Sequence, residues 1–137
     1  MNNITFSMLK PNVLEDKQVG QIITIIEKKG FTIKALLLTH LDTNKAGEFY
    51  IVHRNRPFYQ DMCQYMASGP IIAMVLEKEN AVIDFRNLIG ATNPADAAPG
   101  TIRQLFGKSI DANAIHGSDS NENALQEAQF FFPDLNF

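Results

Sequence analysis

An α+β sandwich, with helices packed over one sheet, is the fold class that this sequence predicts, and three stretches carry the prediction. Ile4 to Met8 alternates apolar and polar residues before Lys10 and Pro11, which is the period of a strand with two unlike faces. Val19, Ile22, Ile23 and Ile26 recur at helical spacing,. Ile71 to Leu76 is an unbroken apolar run of the length and composition of a buried central strand.

The elements follow in the order βαβααβα, and each has a local reason. Pro11 ends the first strand and leaves Lys10 at its C-terminal end. The helix within Lys17 to Gly30 carries lysines in its last turn and meets Gly30 as a stop,. Phe31 to Thr39 opens with aromatic and β-branched residues and reads as the second strand. Two short helices are expected at Asp42 to His53 and at Tyr59 to Ala67, the second closed by Ser68, Gly69 and Pro70. The helix of Asn80 to Gly90 leads into Ala91 to Gly100, where two prolines, one glycine and several small residues are loop chemistry. A loop of that length inside a small domain is usually functional or disordered. A short helix in Thr101 to Gly107, a short strand at Ala114 to His116 and a final helix from Ser120 to Phe132, with Ser120 as N-cap, complete the chain.

The 137 residues suit one domain spanning 1–137, long enough to bury a core. Cys63 is the one cysteine, so no disulfide framework exists within the chain, and a reducing, cytoplasmic setting is expected. The N-terminal stretch lacks the pattern of an export signal, and no run approaches the roughly 20 apolar residues of a membrane helix. A net charge of −3 argues against nucleic-acid binding, which needs a broad basic footprint, but leaves room for a few cations focused in a cleft.

Phe106 to Ser109, "FGKS", looks like the tail of a phosphate-binding loop. The first glycine of that motif would have to stand where Ile102 is, and Gly100 comes two residues too early, so the motif fails. No G-x-G-x-x-G occurs,. His40, His53 and His116 lack metal-ligand spacing, and Cys63 has no partner cysteine,.

Nucleophilic chemistry remains, in "NAIHGSDS" from Asn113 to Ser120. A neutral imidazole is nucleophilic near physiological pH, and Ser118, Asp119 or a carboxylate of the next helix could orient His116; a satisfied structural histidine fits the same residues. Lys10, Arg86, Thr92, Arg103 and Asn113 are donors with no evident structural need for one another. Together they suit a polyphosphate, whereas each alone also reads as a solvated surface group.

"LKPN" at Leu9 to Asn12, "RPFY" at Arg56 to Tyr59, "SGPIIAMV" at Ser68 to Val75, "GATNPADAAPGTIR" at Gly90 to Arg103 and "NAIHGSDS" run in order along the chain, which closely resembles the nucleoside diphosphate kinase family. The resemblance implies a ferredoxin-like sandwich whose four-stranded antiparallel sheet has helices packed over it. It implies ping-pong transfer of the γ-phosphate of a nucleoside triphosphate (ATP, GTP) to nucleoside and deoxynucleoside diphosphates, through a phosphohistidine and with broad base and sugar specificity.

Carried over by motif, His116 would be the nucleophile, with Glu127 and Ser118 orienting its ring. Lys10 would contact the γ-phosphate and the sugar 3′-hydroxyl, with Asn113 as its partner there and Tyr50 lining the site beside it. Arg86, Thr92 and Arg103 would hold the phosphates, and the base would lie between Phe58 and Ile110. Mg²⁺ would be held mainly by the nucleotide's phosphates and not by protein ligands. The family also implies a homo-oligomer, tetramer or hexamer, with the loop around Pro94 and Pro99 joining subunits. Asn12, Ala91 and Leu105 stand where the family more often has aspartate, glutamate and aspartate; none removes a proposed catalytic group, though Leu105 removes any salt link made there.

Overall fold

The computed structural model describes residues 3–137. Strands β1 (Ile4–Leu9), β2 (Thr32–Thr39), β3 (Ile71–Glu77) and β4 (Ile115–Gly117) form one antiparallel sheet in the order β2-β3-β1-β4. With helices laid across it, this is the ferredoxin-like arrangement. The helices are α1 (Pro11–Glu15), α2 (Val19–Lys28), α3 (Thr43–Phe49), α4 (Tyr59–Met66), α5 (Ala81–Ile89), α6 (Ile102–Phe106) and α7 (Asn121–Phe131).

The continuous apolar run of β3 follows from its place inside the sheet. Ile72, Met74 and Leu76 face a core shared with Ile22 and Ile26 of α2 and Phe85 and Ile89 of α5. Ile71, Ala73 and Val75 face a second core with Ala46 of α3, Cys63 and Met66 of α4 and Ala128 of α7. Such a strand has no polar phase. The alternation of β1 is different in kind: its polar phase, Thr5 and Ser7, is fully buried, because both faces of this strand are covered too.

Three local expectations change. Pro11 does more than stop β1; it opens α1 at its first position, where a missing N–H costs nothing and φ is already helical. Asp42 to His53 divides into α3, capped by the Asp42 carboxylate accepting from the Lys45 N–H at 2.7 Å, and a separate 3-10 turn at Ile51–His53. The break falls at Tyr50, whose buried ring anchors the chain in the second core. The loop 91–100 also contains a 3-10 turn, Pro94–Asp96, in which the Asn93 side chain accepts from the Ala95 N–H at 3.0 Å. Ser120 caps α7 as expected, accepting from the Asn123 N–H at 3.1 Å.

Gly90 ends α5 at φ +88°, and a Cβ there would stand 2.5 Å from Thr101 Oγ1 and 2.7 Å from Thr101 Cβ. Backbone strain and overlap act together at this position. Gly90→Ala is expected to cost about 3 kcal/mol, lowering the thermal midpoint by roughly 10 °C; an unchanged melting curve would contradict this geometry.

Candidate active site

The site is assembled where β1 and β4 lie side by side. His116 sits in the middle of β4 opposite Met8 of β1, and the Lys10 N–H donates to the Ala114 carbonyl at 2.8 Å, tying the ends of the two strands together. Asn113 and Ala114 enter β4 through a sharp bend, with Ala114 at φ +77°. A lysine at the end of one strand and a histidine within the next are thereby held as neighbours.

α7 packs across β1 and brings Glu127 to the histidine. His116 Nε2 lies 2.9 Å from Glu127 Oε1. A carboxylate only accepts, so Nε2 is the donor and the lone pair of the neutral imidazole belongs to Nδ1. Ser118 accepts from the Phe6 N–H at 3.1 Å and donates to the same Glu127 oxygen at 2.8 Å. The rings of Phe6, Phe49 and Tyr50 surround the imidazole, with centroids 6.0, 5.5 and 6.3 Å from its own.

Among the described residues, neither Lys10 nor Arg103 forms an ion pair with a carboxylate. Lys10 is only 7% exposed, and its Nζ has a backbone carbonyl, that of Asp111, at the long distance of 3.5 Å. Burial, reinforced by the Arg103 guanidinium, pulls its pKa down from 10.5 to about 8, although Asp111 opposes the change. Arg103 donates to the carbonyls of Gly90 at 3.0 Å and Ile115 at 2.8 Å. Burial and the neighbouring Arg86 lower its pKa to about 10. Arg103 remains charged at neutral pH, as does most of Lys10. Low-dielectric surroundings make uncompensated positive charge costly, and an anionic ligand removes that cost.

Unpartnered polar atoms are concentrated here. Tyr50 Oη, Arg103 Nε and Asn113 Oδ1 are three of the six buried side-chain atoms without a hydrogen-bond partner among the described residues. Native proteins leave few such atoms unpaired without a reason. The Tyr50 phenol is held well above its ordinary pKa, first by burial and then by the Glu127 carboxylate, so it stays protonated and keeps a hydrogen to donate. Asn113 Nδ2 donates to the Thr92 carbonyl at 2.9 Å, which fixes the side chain to the loop 91–100.

Arg86, Thr92 and Arg103 line one cavity of about 540 Å³, together with Gly90 and Ala91. Phe58 is 43% exposed and is linked back to Tyr50 through His53, whose ring lies 5.7 Å from Phe58 and 6.5 Å from Tyr50. Ile110 is 58% exposed and adjoins Asp111, the residue whose carbonyl faces Lys10. A second cavity of about 560 Å³, lined by Lys29, Phe31, Lys78, Asp84 and Thr101 among others, contains none of the predicted residues. Among the described residues, no group of three or more histidine, cysteine, aspartate or glutamate side chains is placed to hold a metal ion. Among the described residues, no helix is long and apolar enough to cross a membrane.

Sequence reasoning did not single out His53 or Phe49. Each follows or ends a short helical segment with no periodicity of its own, and only the convergence of α3, β4 and α7 makes them neighbours of the site.

The family model for nucleoside diphosphate kinase matches residues 3–137. A nucleoside diphosphate kinase of Prosthecochloris aestuarii is 55% identical over 128 residues, covering 93% of this chain and 91% of that protein. Among solved structures, the Aquifex aeolicus nucleoside diphosphate kinase superposes with a TM-score of 0.92 at 44% identity, covering 94% of both chains. The enzyme of Encephalitozoon cuniculi gives 0.93 at 36% identity, over 96% of this chain and 90% of that one. The chain therefore belongs to the nucleoside diphosphate kinase family, enzymes that transfer phosphate between nucleotides.

Proposed function

We propose that the protein carries the γ-phosphate of a nucleoside triphosphate to a nucleoside diphosphate in two half-reactions, through a phosphorylated His116. The observation that carries this reading is the hydrogen bond from His116 Nε2 to Glu127, which leaves the nucleophilic lone pair on Nδ1, in a site where the buried Lys10 and the half-buried Arg103 have no ion-pair partner among the described residues. In the first half-reaction Nδ1 attacks the γ-phosphorus, the bond to the β,γ-bridging oxygen breaks, and the diphosphate departs with that oxygen. Nε2 keeps its proton, and the positive charge that develops on the ring is stabilised by Glu127, itself held by Ser118. The second half-reaction is the reverse, with a different diphosphate as acceptor.

Phosphoryl transfer is mainly positioning and charge stabilisation. Lys10 serves the γ-phosphate and, with Asn113, the sugar 3′-hydroxyl; Arg86, Thr92 and Arg103 hold the remaining phosphates, and Tyr50 donates its hydroxyl beside Lys10. Mg²⁺ bound with the nucleotide would be held by phosphates and water and not by protein side chains, and it would supply charge neutralisation at the group being transferred. Phe58 and Ile110 form a slot for the base. Stacking is sequence-tolerant because every base has a π-face, so broad base specificity follows.

The working form is a homo-oligomer, tetramer or hexamer. Leu36, Leu37 and Leu38 lie exposed on β2, one of the two outer strands of the sheet, and an uncovered apolar edge of this kind favours coverage by a second copy. The buried thiol of Cys63 is compatible with a reducing cytoplasm. The test is to mix the enzyme with γ-labelled ATP and Mg²⁺ without acceptor, then chase with GDP. An acid-labile label on His116 that leaves as labelled GTP is expected. Failure of any label to attach, while ATP binds, would overturn the two-step mechanism.

A further inference from the structure

We propose that Phe49 is a positioning residue that holds the imidazole of His116 in the one orientation that serves transfer; the inference rests on His116 being the nucleophile. Phe49 is the last residue of α3. Its ring meets the imidazole at 5.5 Å and 78°, and Tyr50 at 4.9 Å and 84°. Phe6, Phe130 and Phe131 complete its surroundings at 5.7, 5.4 and 5.5 Å. Phe49 is thus the common neighbour of the nucleophile, of Tyr50 and of the aromatic side of α7.

One hydrogen bond from Nε2 to Glu127 fixes one atom of the imidazole but does not by itself fix the plane of the ring. Tilted and edge-to-face aromatic contacts do constrain the plane, because rotation about the Cβ–Cγ bond drives the ring into its neighbours. Transfer needs the Nδ1 lone pair in line with the bond that breaks, and small misplacements of reacting atoms are costly. Phe49 also lines a groove of about 200 Å³ that reaches Glu127, with Ile51, Val52 and Gln126 on its walls. Removing the ring opens that groove toward the imidazole and weakens the constraint on one side.

Phe49→Leu keeps an apolar side chain but removes the ring. Phe49→Tyr keeps the ring and can direct its hydroxyl into the groove. Two readouts distinguish positioning from simple packing: single-turnover phosphorylation of the enzyme by ATP, and the ring ¹⁵N signals of His116 without nucleotide. Phe49→Leu is expected to phosphorylate about tenfold more slowly at saturating ATP, with half-saturation changed by no more than about twofold. Its His116 signals should move from the Nε2–H tautomer toward a mixture, and Phe49→Tyr should restore both properties.

A Leu variant with wild-type rate and ring signals would overturn the proposal. So would a rate lost only in proportion to the unfolded fraction, with the ring signals intact. Failure of the wild type to form a phosphoenzyme would overturn the His116 assignment instead. That result is read before any variant, and the ring signals still report whether Phe49 orients the imidazole.

Discussion

His116→Gln yields a folded, nucleotide-binding protein whose phosphate transfer is reduced by on the order of 10⁴ or more. Glutamine has no nucleophilic ring nitrogen, so the covalent step is lost and the remaining groups can only bind. The fold is spared because the amide N–H₂ of glutamine can still donate to Glu127, and Ser118 still donates to the same oxygen. The carboxylate is not left without a donor, so the change in stability is held to about 1 kcal/mol. Lys10, Arg86 and Arg103 are untouched, and ATP affinity should change by no more than a few-fold. Coupled-assay turnover and calorimetric ATP binding measured on one preparation check both halves. Retained turnover would remove His116 from the mechanism.

Lys10→Met has the second large effect, and its two consequences have opposite signs. Burial and Arg103 lower the ammonium pKa from 10.5 to about 8, which corresponds to about 3 kcal/mol of destabilisation of the nucleotide-free fold at neutral pH. The folded chain loses this proton as pH rises through 8, whereas the unfolded chain keeps it until near 10.5. Stability from this group is therefore lowest below pH 8 and rises between pH 8 and 10.5. Methionine fills similar space without the charge, so the variant should melt several degrees higher than the wild type at pH 7. The difference should shrink at pH 10. Transfer is expected to fall by about 100-fold or more, because the buried charge proposed to serve the γ-phosphate is lost. Thermal unfolding at the two pH values, without nucleotide, is the check. A variant less stable than the wild type at pH 7 would mean that Lys10 is not a strained cation.

This opposition explains why the cationic cluster is poorly legible from the chain alone. Lys10, Arg86 and Arg103 are ordinary basic residues in the text of the sequence, each as well suited to a surface as to a site. The burial of Lys10, the partial burial of Arg103 and the placing of the exposed Arg86 beside Arg103 depend on elements distant in sequence packing together. The acceptors that hold Arg103, the carbonyls of Gly90 and Ile115, are backbone atoms that no residue type announces. Glu127 was reachable through the family resemblance, but its distance from His116 was not, since the register of α7 on the sheet depends on how Ala124 and Ala128 pack.

The fold shows the same division. Periodicity placed α2 and β3 to within a residue or two, and the caps at Asp42, Thr101 and Ser120 formed where short polar side chains precede helical segments. The five-residue α1 escaped because it is too short to display a period, and Pro11 reads equally as a terminator and as a first helical residue. The break at Tyr50 escaped because the residue leaves the helix to bury its ring, a choice that propensity does not contain.

By itself, then, the sequence determined the family, the order of elements and the set of side chains from which a phosphate-handling site can be built. Each of these rests on local dihedral preference, hydrophobic period or residue type at a fixed spacing. Only the tertiary structure decided which imidazole nitrogen faces a carboxylate, how far Lys10 is desolvated, and that Phe49 stands against His116. Hydrogen-bond partners and local dielectric depend on which distant segments share a volume. Ser118 binding the backbone of Phe6, 112 residues earlier in the chain, is a contact of that kind.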